Sequence, residues 1–208
     1  MAKKTKVKKN PNRKSIYKEE LKIDQILLHH RQVFLTGEID EEKAHNIVTT
    51  LTALDAYRKA PIVIWINSPG GSIYDGFAII DSMLSIGSSV VTVVQGKACS
   101  MAAIISIFGD KRYISKNSVW MAHDVACGNW DYVTKVKDRF ANSEKLQSKA
   151  FTMLRDNTKL TEQDLEKARH GELWLDAEEC LKKGIVEEII GQQIHKEPSK
   201  NEKPRKNR

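Results

Sequence analysis

The sequence predicts an α/β layered fold, on three observations. Short apolar runs rich in β-branched residues alternate with segments of helical apolar spacing, four or five times along the body of the chain. Two of these runs, Ile62-Val63-Ile64-Trp65-Ile66 and Val90-Val91-Thr92-Val93-Val94, are nearly continuous, as in strands covered on both faces. The chemically distinctive residues gather where strands end, the usual place for sites in such folds.

In chain order, Gln32–Thr36 is the first expected strand, with a turn at Gly37-Glu38-Ile39. Asp40 can cap the helix that follows, whose inner stripe is Ala44, Ile47, Val48, Leu51 and Leu54. Pro61 stops that region and Ile62–Asn67 forms the second strand. Next comes Ser68-Pro69-Gly70-Gly71-Ser72. Proline fixes one φ, and the glycines allow backbone angles and close approaches that other residues resist. Alone, such a sequence is more often a tight turn, although between a strand and a helix it can also turn N–H groups toward an anion. No Gly-Lys-Ser/Thr follows, so it is not a phosphate-binding loop of that type. A helix beyond it has Phe77, Ile80, Met83 and Leu84 as its inner face.

The Val90–Val94 strand leads through Gly96-Lys97-Ala98-Cys99 to Ser100. Met101–Phe108 then reads as a short buried helix ended by Gly109. Ser100 therefore stands where a strand becomes a helix, among small residues. That place suits a nucleophile, because its hydroxyl is held at the first turn beside N–H groups with no intrahelical partner. A serine there is also a common plain N-cap. Lys111–Ile114 and Val119–His123 are two more strands, the second closed by His123, the type of residue that serves as a base near neutral pH. Residues 131–158 read as one long helix with Val133, Val136, Phe140, Leu146, Phe151 and Leu154 inward. It has no counterpart of its length and is expected to project from the body or pack on a partner. Thr161 and Asp164 form a capping box. Glu172 precedes Leu173-Trp174-Leu175, Asp176 caps a further helix ended by Gly184, and Ile185–Ile190 is the last strand.

At 208 residues, with 40% hydrophobic and 29% charged residues, the chain suits one soluble domain. The net charge of +7 is unevenly placed. Residues 1–22 carry nine Lys/Arg against two Glu, and residues 195–208 carry six against two, so residues 23–194 are mildly acidic. This predicts a basic mobile arm (1–22), a folded domain (23–194) and a basic disordered tail (195–208), and it weakens any reading as a nucleic-acid-binding fold. Cys99, Cys127 and Cys180 show neither disulfide nor metal spacing, which fits a reducing cytoplasm and thiols acting as small hydrophobes. The Lys-rich start lacks a following apolar run, and the longest such run, Met101–Phe108, is too short to cross a bilayer. No metal or cofactor is expected.

Five segments in fixed order resemble the proteolytic-subunit family of Clp protease. They are Val33-Phe34-Leu35-Thr36-Gly37, Ile66-Asn67-Ser68-Pro69-Gly70-Gly71-Ser72, Gly96-Lys97-Ala98-Cys99-Ser100-Met101-Ala102, Val119-Trp120-Met121-Ala122-His123 and Ala177-Glu178-Glu179-Cys180 through Gly184-Ile185-Val186. The resemblance covers roughly residues 23–191. It implies a ClpP/crotonase-like fold of repeated ββα units with the long helix as a protruding handle. It implies a serine endopeptidase with Ser100 as nucleophile, His123 as general base, and the backbone N–H groups of Gly71 and Met101 as oxyanion hole. Gly70 and Ser72 are the matching substrate-binding positions. The family's third catalytic member, an Asp, falls on Glu172. Ser-His-Glu triads exist on other folds; Asp124 and Asp176 are the other carboxylates at hand. After the histidine the family usually continues with a polar residue and proline, where this chain has Asp124-Val125.

The resemblance also implies a homo-oligomer of two stacked heptameric rings enclosing the sites, unfolded polypeptide as substrate, and an AAA+ Clp unfoldase as partner. The chain has no nucleotide-binding motif, so ATP use belongs to that partner. One alternative is an inactive ring subunit of the same fold, which the Glu172 departure leaves open and the retained Ser100 and His123 oppose. Others are an acyl-CoA enzyme of the crotonase type, which does not need the Ser/His pair, and a nucleic-acid binder acting through its basic tails.

Overall fold

A computed structural model describes residues 23–125 and 132–191. The expected basic arm at 1–22, the tail at 195–208 and Cys127 lie outside the described residues. The elements run α1 (Ile23–His29), β1 (Gln32–Ile39), α2 (Glu41–Tyr57), β2 (Ile62–Gly71), α3 (Ile73–Ser85), β3 (Val90–Cys99) and α4 (Met101–Ser106). They continue β4 (Lys111–Ser115), β5 (Val119–His123), α5 (Val133–Asn157), α6 (Glu162–His170), β6 (Glu172–Leu175), α7 (Ala177–Lys182) and β7 (Glu188–Ile190).

Strands β1, β2, β3, β4 and β7 lie side by side in that order, and all of these pairings are parallel. Each of the first three strands is longer than the sequence predicts, and each is broken by an irregularity. Register shifts fall between Thr36 and Glu38 in β1 and between Ile66 and Ser68 in β2. In β3, Val91–Val94 pair with β4, whereas Lys97–Cys99 pair with β5. Gly96, at φ 99°, stands at the junction, and Ser118 Oγ holds its N–H at 2.8 Å. Each long strand is thus two segments followed by a helix, the ββα repeat. The far segments carry the site, and β6 joins them by pairing antiparallel with β5.

Two predicted turns are strand instead. Gly37-Glu38-Ile39 and Ser68–Gly71 stay extended because they pair with each other, Glu38 opposite Gly70 and Ile39 opposite Gly71. The last strand is shorter than predicted: Ile185 and Val186 are buried in the turn after α7, and only Glu188–Ile190 pair with β4. Caps at Asp40, Thr161 and Asp176 form as predicted.

The core holds Leu35, Ile62, Ile64 and Ile66 of the sheet, Leu51 of α2, Ile79 and Ile80 of α3, and Ile105 of α4, none of them measurably exposed. Burying each such side chain contributes about 1.5–3 kcal/mol. Of the predicted inner face of α3, Phe77, Ile80 and Met83 are buried, but Leu84 is 63% exposed in the helix's last turn, beyond the packed layer. In α5, Ala150, Phe151 and Leu154 are buried while Phe140, predicted inward, is 56% exposed. The C-terminal half of this helix is therefore docked, with Lys149 over the Phe77 ring and Arg169 of α6 over the Phe151 ring. The N-terminal half is largely exposed and touches the body through Asn142, whose Nδ2 donates to the Tyr74 hydroxyl at 2.6 Å; helical spacing alone therefore misassigns Phe140. Among the described residues no helix is long and apolar enough to cross a membrane.

Candidate active site

β3 ends at Cys99 and α4 begins at Met101, so Ser100 alone makes the turn. It does so at φ 54°, ψ −124°, a conformation that costs a non-glycine residue about 1–3 kcal/mol. The backbone is held there from both sides. Ser100 N–H donates to Met121 O of β5 at 2.8 Å, and Ser100 O accepts from the N–H groups of Ala103 at 2.9 Å and Ile104 at 3.2 Å. Its side chain makes no capping bond, whereas Asp40, Ser72, Thr161 and Asp176 all use theirs to cap. The plain N-cap reading of Ser100 therefore fails. A serine on a strained strand-to-helix turn with its hydroxyl unused is the arrangement that exposes a nucleophile.

Polar residues inside the apolar runs hold α4 in place, and the sequence reading did not assign them this role. Thr92 Oγ1 donates to Ser106 O at 2.7 Å, and Trp120 Nε1 donates to Ser106 Oγ at 3.2 Å and Ala103 O at 3.3 Å. The signal was present, because a buried threonine or indole N–H in a covered strand needs a partner.

Gly70 and Gly71 bring the end of β2 against this turn. A β-carbon on Gly70, which has φ 96°, would stand 2.7 Å from both Cys99 O and Ser100 Cβ. One on Gly71 would stand 2.2 Å from Ile39 O. The close approach requires glycine at both places. Gly70 N–H donates to Ser68 Oγ at 3.1 Å. Ser72 lines the cavity described below, but its N–H donates to Ile39 O at 2.8 Å and its hydroxyl accepts from Asp75 N–H.

His123 closes β5, half-buried, and its cross-strand partner is Glu172, the first residue of β6. Residues directly opposed in an antiparallel pair share a face, with β-carbons about 5 Å apart. Glu172 is exposed, and its Oε2 accepts from Trp174 Nε1 at 2.7 Å. Among the described residues no hydrogen bond or ion pair links Ser100 to His123 or His123 to Glu172; such bonds commonly tighten only around bound substrate. The other carboxylates are engaged elsewhere. Asp176 caps α7 through Glu179 N–H at 2.8 Å, and Asp124 accepts from Gln147 Nε2 and Val125 N–H.

Ser100, Met101, Gly71 and His123 line one cavity of about 250 Å³. Its far wall is apolar: Ile73, Ile104, Val125, Ala150, Phe151 and Leu154. The wall is drawn from α3, α4, the docked half of α5 and Val125 just beyond β5, so the fold positions an apolar recess beside the serine. Cys99, next in sequence to Ser100, is not a competing nucleophile. Burial pushes its thiol pKa up, Lys97 partly opposes this, and the Glu172 charge adds to it. Among the described residues no cluster of three or more His, Cys, Asp or Glu could hold a metal ion.

The family model described as Clp protease matches residues 15–193. The ATP-dependent Clp protease proteolytic subunit of Streptococcus mutans serotype c is 36% identical over 170 residues, covering 79% of this chain and 86% of the relative. The subunit of the same name from Lactococcus lactis subsp. cremoris is 33% identical, covering 79% and 85%. That of Streptococcus gordonii is 34% identical, covering 79% and 86%. With the family model spanning most of the chain and relatives above 30% identity covering most of its length, the chain is a peptidase that belongs to the Clp protease family.

Proposed function

We propose that this chain is the proteolytic subunit of an ATP-dependent Clp-type protease, with Ser100 as nucleophile, His123 as general base and Glu172 as third member. His123 takes the Ser100 proton as Oγ attacks the peptide carbonyl carbon, then returns it to the leaving amine. The tetrahedral intermediate carries negative charge on the former carbonyl oxygen, and the N–H groups of Met101 and Gly71 are the donors aimed at it. Losing one such donor typically raises the barrier by about 3 kcal/mol. Water then attacks the acyl-enzyme by the same route in reverse. Glu172 holds the imidazole tautomer and stabilises the imidazolium.

The substrate is unfolded polypeptide, reaching sites enclosed by two stacked heptameric rings, with α5 as the contact between rings and an AAA+ Clp unfoldase supplying ATP-driven translocation. Family membership supports the rings and the unfoldase, and the exposed outer half of α5 supports its part as the handle. The single observation that carries the catalytic assignment is Ser100 at φ 54° with its hydroxyl uncommitted, in one cavity with His123. It also favours an active subunit over an inactive one, because a structural serine gains nothing from that strain.

The test is hydrolysis of a fluorogenic peptide and of an unfolded protein by the assembled wild type, Ser100→Ala and His123→Ala. Activity in wild type alone supports the assignment; undiminished activity in Ser100→Ala contradicts it.

A further inference from the structure

β6 reads Glu172-Leu173-Trp174-Leu175, and its side chains alternate. Leu173 and Leu175 are buried, while Glu172 and Trp174 share the other face, opposite His123 and Met121 of β5. A glutamate on this face has a freedom to lose before it can act on the histidine. It has one more rotatable bond than an aspartate, and an exposed side chain of this kind samples many rotamers.

Trp174 Nε1 donates to Glu172 Oε2 at 2.7 Å, a charge-assisted bond of good length. An indole N–H is a single donor, so it occupies one carboxylate oxygen and leaves Oε1 open. The ring is half-exposed and its cross-strand partner Met121 is buried, so the donor is anchored on the same strand pair that carries His123. The Glu172 charge also reaches inward, since it is felt at the Cys99 thiol beside Ser100.

We propose that Trp174 is a positioning residue for the peptidase reaction: its indole N–H holds one oxygen of Glu172 so that the other is presented to His123 across the β5–β6 pair. This rests on the reading of Glu172 as the third member. In this structure the indole bond is made while, among the described residues, no hydrogen bond or ion pair joins Glu172 to His123. The indole thus fixes the carboxylate's place, and the contact with His123 closes as substrate tightens the site. The consequence is a coupling: Trp174 matters to turnover through Glu172 and not through packing.

The experiment measures kcat and KM on a fluorogenic peptide, using assembled rings checked by sedimentation. The proteins are wild type, Ser100→Ala, Glu172→Ala, Trp174→Phe, Glu172→Asp and the double variant E172D/W174F. Phenylalanine keeps an aromatic ring and removes only the donor. The expected result is a kcat about tenfold lower for Trp174→Phe with KM within about twofold of wild type. In the E172D background the same Trp174→Phe change shifts kcat less than about twofold, because the shorter carboxylate does not use the indole. A Trp174→Phe protein as fast as wild type, beside an impaired Glu172→Ala, overturns the inference and leaves Glu172 in place. So does an equal loss in both backgrounds, or a Trp174→Phe protein that fails to assemble while E172D/W174F fails equally, since either makes Trp174 a packing residue. Full activity in Glu172→Ala beside an inert Ser100→Ala removes Glu172 from the triad, a distinct failure that takes the inference with it.

Discussion

Arg31, at φ 57°, and Ser100, at φ 54°, are the two non-glycine residues of positive φ among those described. Their side chains differ completely. Arg31 is buried and donates to Pro61 O at 3.0 Å, Leu54 O at 2.9 Å, Ala60 O at 2.7 Å and Ser88 Oγ at 3.2 Å. Ser88 in turn donates through both N–H and Oγ to Asp55 Oδ1 at 2.8 Å, and Asp55 pairs with Lys59. That strain is offset on the spot, by bonds that fix the start of β1 to the end of α2 and the entry to β3. Ser100 makes no such bonds. Its strain is borne by the backbone of β5 and α4, and its hydroxyl is left free. An unusual backbone angle is therefore not itself a functional signal; in the function proposed for this chain, the signal is that angle with an uncommitted side chain.

The sharpest way to break this comparison is to remove each side chain. Ser100→Ala should lower kcat about a millionfold, as loss of one member of a coupled serine site does, while leaving the thermal midpoint unchanged or raised. Arg31→Ala should do the reverse. It orphans buried carbonyls and should cost about 3 kcal/mol in denaturant unfolding, with kcat per assembled ring unchanged. If Arg31→Ala spares stability, its bonds do not offset its strain.

The next largest effect tests how the serine is held. Gly70→Ala puts a β-carbon 2.7 Å from Ser100 Cβ and should lower kcat about a hundredfold by displacing the turn. Ser100→Gly should relieve the strain and raise stability by about 1 kcal/mol over Ser100→Ala, read from the denaturant midpoint.

A smaller effect lies on the structural side, in acid. Hydrogen bonds from Lys59 first and Ser88 next lower the Asp55 pKa from 3.8 to about 2. The unfolded chain then binds this proton more readily than the folded one, so the pairing stabilises fully above about pH 4 and is lost as pH falls through about 2. Asp55→Asn should flatten that part of the unfolding curve. Smallest of all, burial pushes the Cys180 thiol up to about 12, with Asp176 and Glu179 adding to it, and the Cys99 thiol is raised chiefly by burial. Neither should react with iodoacetamide at pH 8 in the native protein, by peptide mapping.

Much of this was legible in the sequence, because local rules decided it. The helix caps, the β5 strand ending at His123 and the serine between β3 and α4 follow from short patterns. At Ser68–Gly71 the Pro-Gly-Gly sequence favours a turn, whereas pairing with Glu38 and Ile39 keeps it extended. Leu84 and Phe140 are exposed where spacing predicts burial, because spacing gives a helix face but not what covers it. The pairing of His123 with Glu172 depends on strand register, set by contacts far apart in the chain. The polar bonds that lock α4 required knowing which side chains meet inside the core.

The most direct measurement is the intact mass of the assembled protein after treatment with a fluorophosphonate, with Ser100→Ala as control. The account predicts one stoichiometric adduct per subunit that maps to Ser100 and is absent from the control. An unmodified wild type in folded, assembled rings, or an adduct that persists in Ser100→Ala, would contradict it.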